Sequence, residues 1–296
     1  MDIRKEQRPI ALQDGRQKGN QAMKTWLITG CSSGIGRGIA KAILQNGDQA
    51  VVTARDVRKV EDLARAYQDR ALAVALDVTR QDSIRDAIDA AQKRFGGVDV
   101  LVNNAGYGYR SSVEEGDADD VNLLFSTNFF GPVALIKAVL PHMRARKSGA
   151  IVNISSIAAT RSGVGSGYYA ASKAALELMT DGLSKEVSPL GIKVMTVEPG
   201  AFRTNFYDDS LKGTKNKIGD YAETAWKTRK ENVVNLHNQP GDPDKAGRVI
   251  VEIVERDDSP KWFLLGSDAV RIVSGALHER LDQIELWKGT SALSDY

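Results

Sequence analysis

The chain has 296 residues, of which 42% are hydrophobic and 26% are charged. This composition excludes an intrinsically disordered protein, which would be poor in apolar residues. Forty basic and 38 acidic residues leave a net charge of +2. Because nucleic-acid-binding proteins usually carry a strongly basic patch, we expect no nucleic-acid partner.

The single cysteine, Cys31, excludes a disulfide framework and the common zinc clusters, and it fits a reducing compartment. No apolar run approaches the ~18 residues that predict a membrane span. The first residues also lack the apolar core of a secretory signal. We therefore expect a cytoplasmic protein without a membrane span. Residues 1–22 are polar and are predicted to be a disordered extension of a single domain over 23–296.

Short apolar, β-rich runs alternate with helical patterns along the chain. Strands are predicted at 25–29, 49–54, 71–76, 98–103, 150–154, 193–197 and 262–264, and helices near 35–46, 56–67, 81–95, 119–145, 168–187 and 242–256. This alternation predicts an α/β fold with a parallel, doubly wound sheet of seven strands and helices on both faces. The carboxyl ends of the strands would meet at one ligand-binding edge. Gly131-Pro132 is expected to kink or offset the fourth helix.

Two later segments have a distinct character. Residues 205–241 are rich in Lys, Asp, Asn and Gly with scattered aromatic residues, and they follow a strand at the ligand-binding edge. They are predicted to form a substrate lid, and the alternative is a solvated loop with one short helix. Residues 268–287 are predicted to form an amphipathic helix, which either contacts a second subunit or packs on its own domain.

A glycine-rich turn, TGCSSGIG at 29–36, connects the first strand to the first helix. Glycines let the backbone turn tightly and approach a ligand, and the helix N-terminus offers N–H groups and a positive dipole end to an anion. The turn alone is also compatible with a plain strand-to-helix connection. No Lys-Ser/Thr pair follows it, which argues against a P-loop NTPase.

The residue after the second strand bears on which dinucleotide binds. In dinucleotide folds an acid in this region favours NAD, whereas an arginine accommodates the 2′-phosphate of NADP. Here Ala54 ends the strand and Arg55 follows it. The sequence therefore predicts NADP(H) in preference to NAD(H). The alternative is a surface arginine paired with Asp56, which would itself cap the next helix.

Tyr169 and Lys173 are four residues apart in YAASK, so their side chains share one helix face. An ammonium about 4 Å from a phenol contributes about 1 to 4 kcal/mol, depending on the local dielectric. The tyrosine pKa would then fall by roughly one to three pH units, which makes the hydroxyl usable as a general acid or base. Tyr168 lies five residues before the lysine and is expected to point elsewhere.

Seven motifs occur in one order between residues 24 and about 204. They are TGCSSGIG at 29–36, Asp77-Val78, NNAG at 103–106, Asn128, Ser155-Ser156, YAASK at 169–173 and PGAFRT at 199–204. Together they resemble the short-chain dehydrogenase/reductase family. The resemblance implies a Rossmann fold, a small-molecule carbonyl or alcohol as substrate, and a homodimer or homotetramer.

The resemblance also implies a catalytic tetrad of Asn128, Ser156, Tyr169 and Lys173. In that scheme Tyr169 donates a proton to the carbonyl oxygen as hydride arrives, and Ser156 hydrogen-bonds the same oxygen. Lys173 holds the nicotinamide ribose, and Asn128 anchors a water in a proton relay. Ser156 is preferred to Ser155 because it lies thirteen residues before Tyr169, which is the family spacing.

The residues that the resemblance assigns to the cofactor come from six parts of the chain. They are Gly30, Ser33, Gly34, Ile35 and Gly36 at the phosphates; Arg55 at the 2′-phosphate; Asp77 and Val78 at the adenine; Asn104, Ala105 and Gly106 near the riboses; Tyr169 and Lys173; and Pro199, Gly200, Phe202 and Thr204 beside the nicotinamide. Asn103 is assigned a structural role. His142, His237 and His278 are isolated in the sequence, so no metal site is predicted.

These observations predict an NADP(H)-dependent oxidoreductase that interconverts a carbonyl and an alcohol. TGCSSGIG, with TAR after the second strand, resembles the branch of hydroxysteroid and retinol dehydrogenases, which implies a hydrophobic carbonyl. The alternatives are an NAD(H)-dependent alcohol dehydrogenase, another chemistry on the same fold such as epimerisation or dehydration, and a cofactor-sensing protein without turnover.

Replacing Ala54 with aspartate should move the cofactor preference toward NAD(H). The new carboxylate would hydrogen-bond a ribose 2′-hydroxyl and repel a 2′-phosphate. The measurement is the ratio of kcat/KM for NADPH to that for NADH in the wild type and in Ala54→Asp. A ratio that does not fall in the variant contradicts the assignment.

Overall fold

The structure of the chain, a computed structural model, describes residues 22–206, 211–215, 217–227 and 238–296. The predicted N-terminal extension lies outside the described residues except for Ala22. Parts of the predicted lid, at 207–210, 216 and 228–237, also lie outside them.

The described residues form nine strands in two sheets. Their ranges are β1 Thr25–Ile28, β2 Gln49–Ala54, β3 Ala71–Ala75, β4 Val100–Asn103, β5 Gly108–Arg110, β6 Gly149–Ile154, β7 Ile192–Pro199, β8 Leu211–Gly213 and β9 Trp262–Leu265. The seven strands predicted from the sequence all occur in the larger sheet, with bounds that differ by a few residues. The short pair of β5 and β8 was not predicted.

The larger sheet has the order β3-β2-β1-β4-β6-β7-β9, and every neighbouring pair is parallel. The chain builds outward from β1 to β3 and then returns to place β4 on the other side of β1. Connections therefore leave β1 and β4 toward opposite faces, and a crevice opens between their carboxyl ends. This confirms the predicted doubly wound parallel sheet.

Eight α-helices surround the sheet in the described residues. They are α1 Gly34–Gln45, α2 Glu61–Ala66, α3 Gln81–Phe95, α4 Ala118–Phe125, α5 Gly131–Arg146, α6 Gly167–Val187, α7 Pro243–Glu255 and α8 Ser267–Ser291. Successive residues of a strand point to opposite faces, so each face has its own core. Trp26 and Ile28 pack with α1 and α7, whereas Leu27 packs with α3, α5 and α6.

The fourth predicted helix is divided into α4 and α5 by one π-helical turn, Ser126–Phe130. Pro132 stands in the first turn of α5. Its ring cannot follow a regular helix, and the wider turn before it absorbs the mismatch. The expected offset at Gly131-Pro132 is therefore confirmed.

Among the described residues, the continuous helical stretch Ala118–Arg146 is long and apolar enough to span a membrane by length and composition alone. Its residues Leu135, Ile136 and Val139 are buried in the core against the sheet. These core contacts account for part of its hydropathy, whereas Leu123 and Phe130 in the same stretch are exposed.

Helices α1 and α7 cross at two glycines. A Cβ on Gly38 would lie 2.1 Å from the carbonyl oxygen of Pro243, and one on Gly247 would lie 2.2 Å from that of Gly38. These are backbone contacts that a side-chain rotation cannot relieve. The glycines therefore bring α7 against the helix that follows the glycine-rich turn.

Gly247→Ala should lower the free energy of unfolding by about 1–3 kcal/mol, because the added methyl group forces the two backbones apart. Gly275→Ala is the matched control, since a Cβ at Gly275 in α8 meets no atom within 4 Å. The control should raise stability by about 0.5–1 kcal/mol through helix propensity. Chemical denaturation measures both variants, and equal effects would show that the α1–α7 crossing is not tightly packed.

Candidate active site

A cleft of about 800 Å³ opens at the carboxyl edge of the large sheet. All residues assigned from the sequence to cofactor or catalysis line it, with the exception of Asn128. The lining set comprises Gly30, Ser33, Gly34, Ile35, Gly36, Arg55, Asp77, Val78, Asn104, Ala105, Gly106, Ser156, Tyr169, Lys173, Pro199, Gly200, Phe202 and Thr204. The sequence motifs therefore converge on one site, although they span more than half of the chain.

The glycine-rich turn forms a cradle with exposed backbone groups. Gly30 and Gly34 have φ angles of 73° and 59°, a region that favours glycine. A Cβ on Gly36 would lie 2.3 Å from Asn104 Nδ2. Ser33 precedes α1 with an extended backbone, and its hydroxyl makes no capping hydrogen bond. The first N–H groups of α1 and the Ser33 hydroxyl are thus left for a ligand, and the arrangement fits the phosphates of a dinucleotide.

The cradle is held by the segment that follows β4. Asn104 Nδ2 donates to the carbonyl oxygens of Thr29 and Gly30 at 2.8 and 3.1 Å. The Asn104 side chain therefore shapes the cofactor loop from behind. Asn103 is buried and donates to Asn153 Oδ1 at 2.8 Å, which confirms its predicted structural role.

Arg55 lines the cleft and is exposed. Asp56 accepts two hydrogen bonds from Arg58, both at 2.9 Å, and its carboxylate also caps the short helical turn at Val57–Lys59. The interpretation that Asp56 neutralises Arg55 is therefore wrong. Arg55 forms no ion pair with any of the described residues, and it lines the cleft next to the small residue Ala54.

Tyr169 and Lys173 lie on successive turns of α6 and are 7% and 5% exposed. The Tyr169 ring packs against Phe206 with 5.7 Å between ring centroids. The neighbouring Tyr168 turns away and donates its hydroxyl to the carbonyl oxygen of Val113 at 2.7 Å. Of the two adjacent tyrosines, Tyr169 therefore faces the cleft and Tyr168 does not, as predicted.

The Lys173 ammonium is buried, and Nζ donates to the carbonyl oxygen of Ile154 at 2.8 Å. Burial penalises the charged form and lowers the pKa of Lys173 to about 8. A Cβ on Gly106 would lie 3.3 Å from Nζ, so the bare backbone at Gly106 makes room for the ammonium. An anionic or hydroxyl-rich ligand in the cleft would stabilise the charged form of this lysine.

Asn128 is fully buried in the π-helical turn, one layer behind the cleft. Its Oδ1 accepts the backbone N–H of Tyr107 at 3.1 Å, and its Nδ2 donates to Tyr107 O at 3.0 Å and Ser172 Oγ at 3.1 Å. Both amide hydrogens are used by protein atoms, so a water held here would bind to an oxygen. The predicted part of Asn128 in a proton relay stays a prediction.

The two neighbouring serines differ in their surroundings. Ser156 Oγ accepts the backbone N–H of Ala158 at 3.1 Å, which leaves its O–H free to donate into the cleft. Ser155 is 3% exposed and directs its hydroxyl toward Glu177 and the backbone of Lys173, each at 3.4 Å. These positions agree with the choice of Ser156 as the residue that would meet a substrate.

Comparison with known proteins decides the family. The family model described as short chain dehydrogenase matches residues 24–214. The chain is a member of the short-chain dehydrogenase family. A short-chain dehydrogenase from Streptomyces avermitilis has a similar structure, with 41% identity, a TM-score of 0.87, and coverage of 94% of this chain and 100% of the other.

Two further relatives are reductases with named substrates. A 3-ketodihydrosphingosine reductase from Bacteroides thetaiotaomicron is 37% identical over 79% of this chain and 84% of its own length. A 3-ketoacyl-(acyl-carrier-protein) reductase from Brucella melitensis, solved in complex with NADH, is 27% identical with a TM-score of 0.70 over 84% of this chain and 98% of the other. The present short-chain dehydrogenase is thus an oxidoreductase with relatives that bind nicotinamide cofactors, and it acts on a small molecule.

Several functional contacts of this short-chain dehydrogenase were not predicted. Asp268, in the first turn of α8, accepts the backbone N–H of Ala201 at 2.7 Å, and a Cβ on Gly200 would lie 2.3 Å from its Oδ1. This contact fixes the loop after β7 from a residue far along the chain. Buried Glu198 in β7 forms a second such contact, since it accepts a hydrogen bond from Trp262 Nε1 in β9 at 2.6 Å.

Only one sequence signal pointed toward these carboxyl groups. Glu198 is an acid in a strand whose other polar residues are Lys193 and Thr196, and an acid buried there needs a partner. The described residues contain no group of three or more His, Cys, Asp or Glu side chains that could hold a metal.

Cys31 lies in the glycine-rich turn but is fully buried, and Sγ is 3.3 Å from the carbonyl oxygen of Ile28. Burial raises the pKa of this thiol to about 12. The position of Cys31 in the glycine-rich turn therefore does not make its thiol reactive.

Native protein should therefore resist thiol reagents at neutral pH, because only a thiolate reacts and burial suppresses both its formation and access to it. Labelling with a chromogenic disulfide should be negligible over an hour and stoichiometric after addition of denaturant. Rapid labelling of the folded protein would contradict the burial of Cys31.

Proposed function

We propose that this short-chain dehydrogenase is an NADP(H)-dependent enzyme that interconverts a carbonyl and an alcohol, with Tyr169 as general acid or base. The observation that carries the proposal is the convergence of Tyr169, Lys173 and Ser156 on the cleft that also holds the glycine cradle. In this proposal the tyrosine, lysine and serine transfer and orient the proton in the same cavity in which the glycine-rich turn binds the cofactor phosphates.

Each polar group has a distinct task in this proposal. When bound, the nicotinamide supplies or accepts the hydride. Tyr169 transfers the proton at the substrate oxygen, and the free O–H of Ser156 hydrogen-bonds that oxygen and orients it. The buried ammonium of Lys173 favours the ionised phenol and binds cofactor hydroxyl groups. Asn128 holds the backbone at Tyr107 through two hydrogen bonds. It thereby positions the neighbouring Gly106, which makes room for the lysine ammonium.

The preference for NADP(H) is supported by Arg55. Its guanidinium lies at the cleft without a described ion-pair partner, and a planar guanidinium can bind phosphate through two hydrogen bonds. Ser33, with its uncapped hydroxyl, is a second donor at the same end of the cleft. Ala54 provides no carboxylate to bind the ribose hydroxyl of NAD(H).

We also propose that the described parts of 205–241 act as a lid over a hydrophobic substrate. Strand β8 pairs with β5, beside the NNAG segment, and Phe206 packs on Tyr169. Buried Glu115 accepts the Ile218 N–H at 2.5 Å and Trp226 Nε1 at 3.1 Å, which anchors the segment at its far side. The apolar residues Leu123, Phe206 and Ile272 line the cleft under this cover. We further expect a cytoplasmic homodimer or homotetramer.

The direct test is the oxidation of NADPH and NADH by the purified protein across a carbonyl panel. The panel should contain ketosteroids, retinal, quinones, diketones, simple aldehydes and 3-ketodihydrosphingosine, the last because of the relative described above. Turnover with a preference for NADPH supports the proposal. Turnover with NADH alone overturns the cofactor assignment, and tight cofactor binding with no turnover in either direction favours a sensor.

Tyr169→Phe should reduce kcat by about two to four orders of magnitude, the usual range for loss of a general acid or base. Cofactor binding should change little, because only one hydroxyl is removed. Tyr168→Phe is the matched control, since its hydroxyl bonds to Val113 outside the cleft. Steady-state kinetics measure turnover, and cofactor fluorescence measures cofactor binding. Near-wild-type turnover in Tyr169→Phe would contradict the role of Tyr169 as general acid or base.

A further inference from the structure

Positive charge exceeds negative charge along the walls of the cleft. Among the described residues that line it, the cations are Arg55, Arg110, Arg161, Lys173 and Lys212, and the acids are Asp77 and Asp268. Both acids already accept hydrogen bonds from the protein, Asp77 from Thr79 and Asp268 from the backbone of Ala201. The cleft therefore presents an excess of positive charge to a ligand.

Two of these cations have a task in the proposed function, since Arg55 is assigned to the 2′-phosphate and Lys173 to cofactor hydroxyl groups. Arg161 and Lys212 lie in other segments. Arg161 follows Ser156 by five residues, between β6 and α6, and Lys212 is the central residue of β8 in the proposed lid. Both segments adjoin the substrate end of the cleft, so their charges need another explanation.

No carboxylate neutralises either of these two cations. Both side chains are exposed, and neither forms an ion pair or a side-chain hydrogen bond within the described parts of the chain. Cations that line a cleft with low-dielectric walls raise the local concentration of anions. Arg161 and Lys212 are therefore available to an anionic ligand.

Tyr107 holds the Lys212 ammonium at the wall of the cleft. Lys212 Nζ lies 4.9 Å from the centroid of the Tyr107 ring, which is within the range of a cation–π interaction. The Tyr107 backbone is held by Asn128, and β8 is paired with β5. The same ring packs against the buried cluster that contains Tyr169, which places Lys212 at the substrate end.

The same cleft also has apolar walls. Leu123, Val164, Phe206 and Ile272 line it, and Val164 lies only three residues after Arg161. Apolar walls favour a ligand with an apolar body, because burial of its surface removes that surface from water. A ligand that matches both the walls and the two cations has an apolar body and an anionic group.

We propose that Arg161 and Lys212 form a subsite for an anionic oxygen group, a carboxylate or a phosphate, and that the substrate is an apolar carbonyl compound with such a group. A guanidinium binds either group through two hydrogen bonds, and an ammonium acts as a point charge. The assignment of the anion to the substrate rests on the proposed function, whereas the binding of an amphiphilic anion does not.

The test is a calorimetric titration of the full chain with octanoate and with octanamide, its neutral counterpart. The protein is first saturated with NADPH, or with NADH if only that cofactor binds, so that the cofactor occupies the glycine-rich turn. Wild type should bind octanoate at least about fivefold more tightly than octanamide, the effect of two exposed charge pairs. Octyl phosphate, titrated in the same way, shows which of the two anions binds more tightly.

The double variant Arg161→Gln/Lys212→Gln should bind octanoate and octanamide about equally, because both cations are removed. Its affinity for NADPH, measured by fluorescence, should match that of the wild type. Lys215→Gln/Lys227→Gln is the matched control, since it removes the same charge from two exposed lid lysines that do not line the cleft. The control should retain the preference for octanoate.

Substitutions of Tyr107 test whether its ring holds the lysine. Tyr107→Leu should lower the preference for octanoate about twofold or more, the effect of an exposed cation–π interaction. Tyr107→Phe should retain the preference, because the hydroxyl is buried and has no hydrogen-bond partner in the described structure. Equal losses in the two variants would overturn the role of the ring.

A kinetic readout applies once the carbonyl panel has given a substrate class. For an aliphatic oxo acid, Arg161→Gln/Lys212→Gln should raise KM at least about fivefold and change kcat little, because the cations bind the substrate away from the reacting carbonyl. The KM of the corresponding methyl ester should not change. This pattern differs from that of Tyr169→Phe, which is expected to lower kcat.

The outcomes separate this inference from the proposed function. Equal binding of octanoate and octanamide by wild type, or no binding of octanoate at millimolar concentration, overturns the subsite. A preference that persists in the double variant overturns the assignment to Arg161 and Lys212, and so does a matching loss of NADPH affinity. A preference lost only in the double variant establishes the subsite even if no carbonyl is reduced, in which case the proposed function fails by itself.

Discussion

The hydrogen bonds of Thr29 hold together the edge of the sheet on which the cleft depends. Its Oγ1 accepts the backbone N–H groups of Asn104 and Ala105 at 2.9 and 2.8 Å. These bonds join the ends of β1 and β4 where the strand order reverses and the chain departs to opposite faces. Without that oxygen, the Ala105 N–H would lose this partner, at about 1–3 kcal/mol, and the Asn104 N–H would keep only the carbonyl oxygen of Val102 at 3.1 Å. These bonds between β1 and β4 help to set the width of the crevice. They therefore also help to set the distance between the glycine-rich turn and Tyr169.

Behind the ends of β1 and β4, a series of hydrogen-bonded polar side chains crosses the otherwise apolar core. Asn103 donates to Asn153, Asn153 Nδ2 donates to Thr180 Oγ1, and Thr180 Oγ1 donates to the carbonyl oxygen of Leu176, at 2.8, 2.8 and 2.6 Å. This series crosses from β4 through β6 to α6. The oxygen of Asn103 is buried without a hydrogen-bond partner in the described part of the chain, so the series is not fully satisfied. Its directional hydrogen bonds still specify one relative placement of these elements, whereas an apolar contact tolerates sliding. It thereby fixes the helix that carries Tyr169 and Lys173 against the strands that carry the cofactor loops.

The sequence was sufficient to predict the sheet, the cradle and the residues at the cleft surface, because each of these follows from local patterns. Apolar runs mark buried strands, and glycines mark the places where the backbone needs positive φ. Contacts between distant segments were not predictable in the same way. The Asp268 bond to Ala201 and the Trp262 bond to Glu198 depend on how α8 and β9 dock against β7. Asn128 was identified by family position, but its place one layer behind the cleft arises from the π-helical turn.

The crossing of α1 and α7 has a consequence for the order in which the molecule assembles. The phosphate-binding turn is encoded within the first forty residues, yet α1 makes its backbone contact at Gly38 with Pro243 and Gly247. During synthesis the apolar face of α1 therefore has no α7 to pack against until the ribosome has added some two hundred further residues. Contacts of such sequence separation form slowly because a long loop must close first. The part of the site that is translated earliest thus reaches its final packing among the last, and until then its apolar surface is available to chaperones and to aggregation.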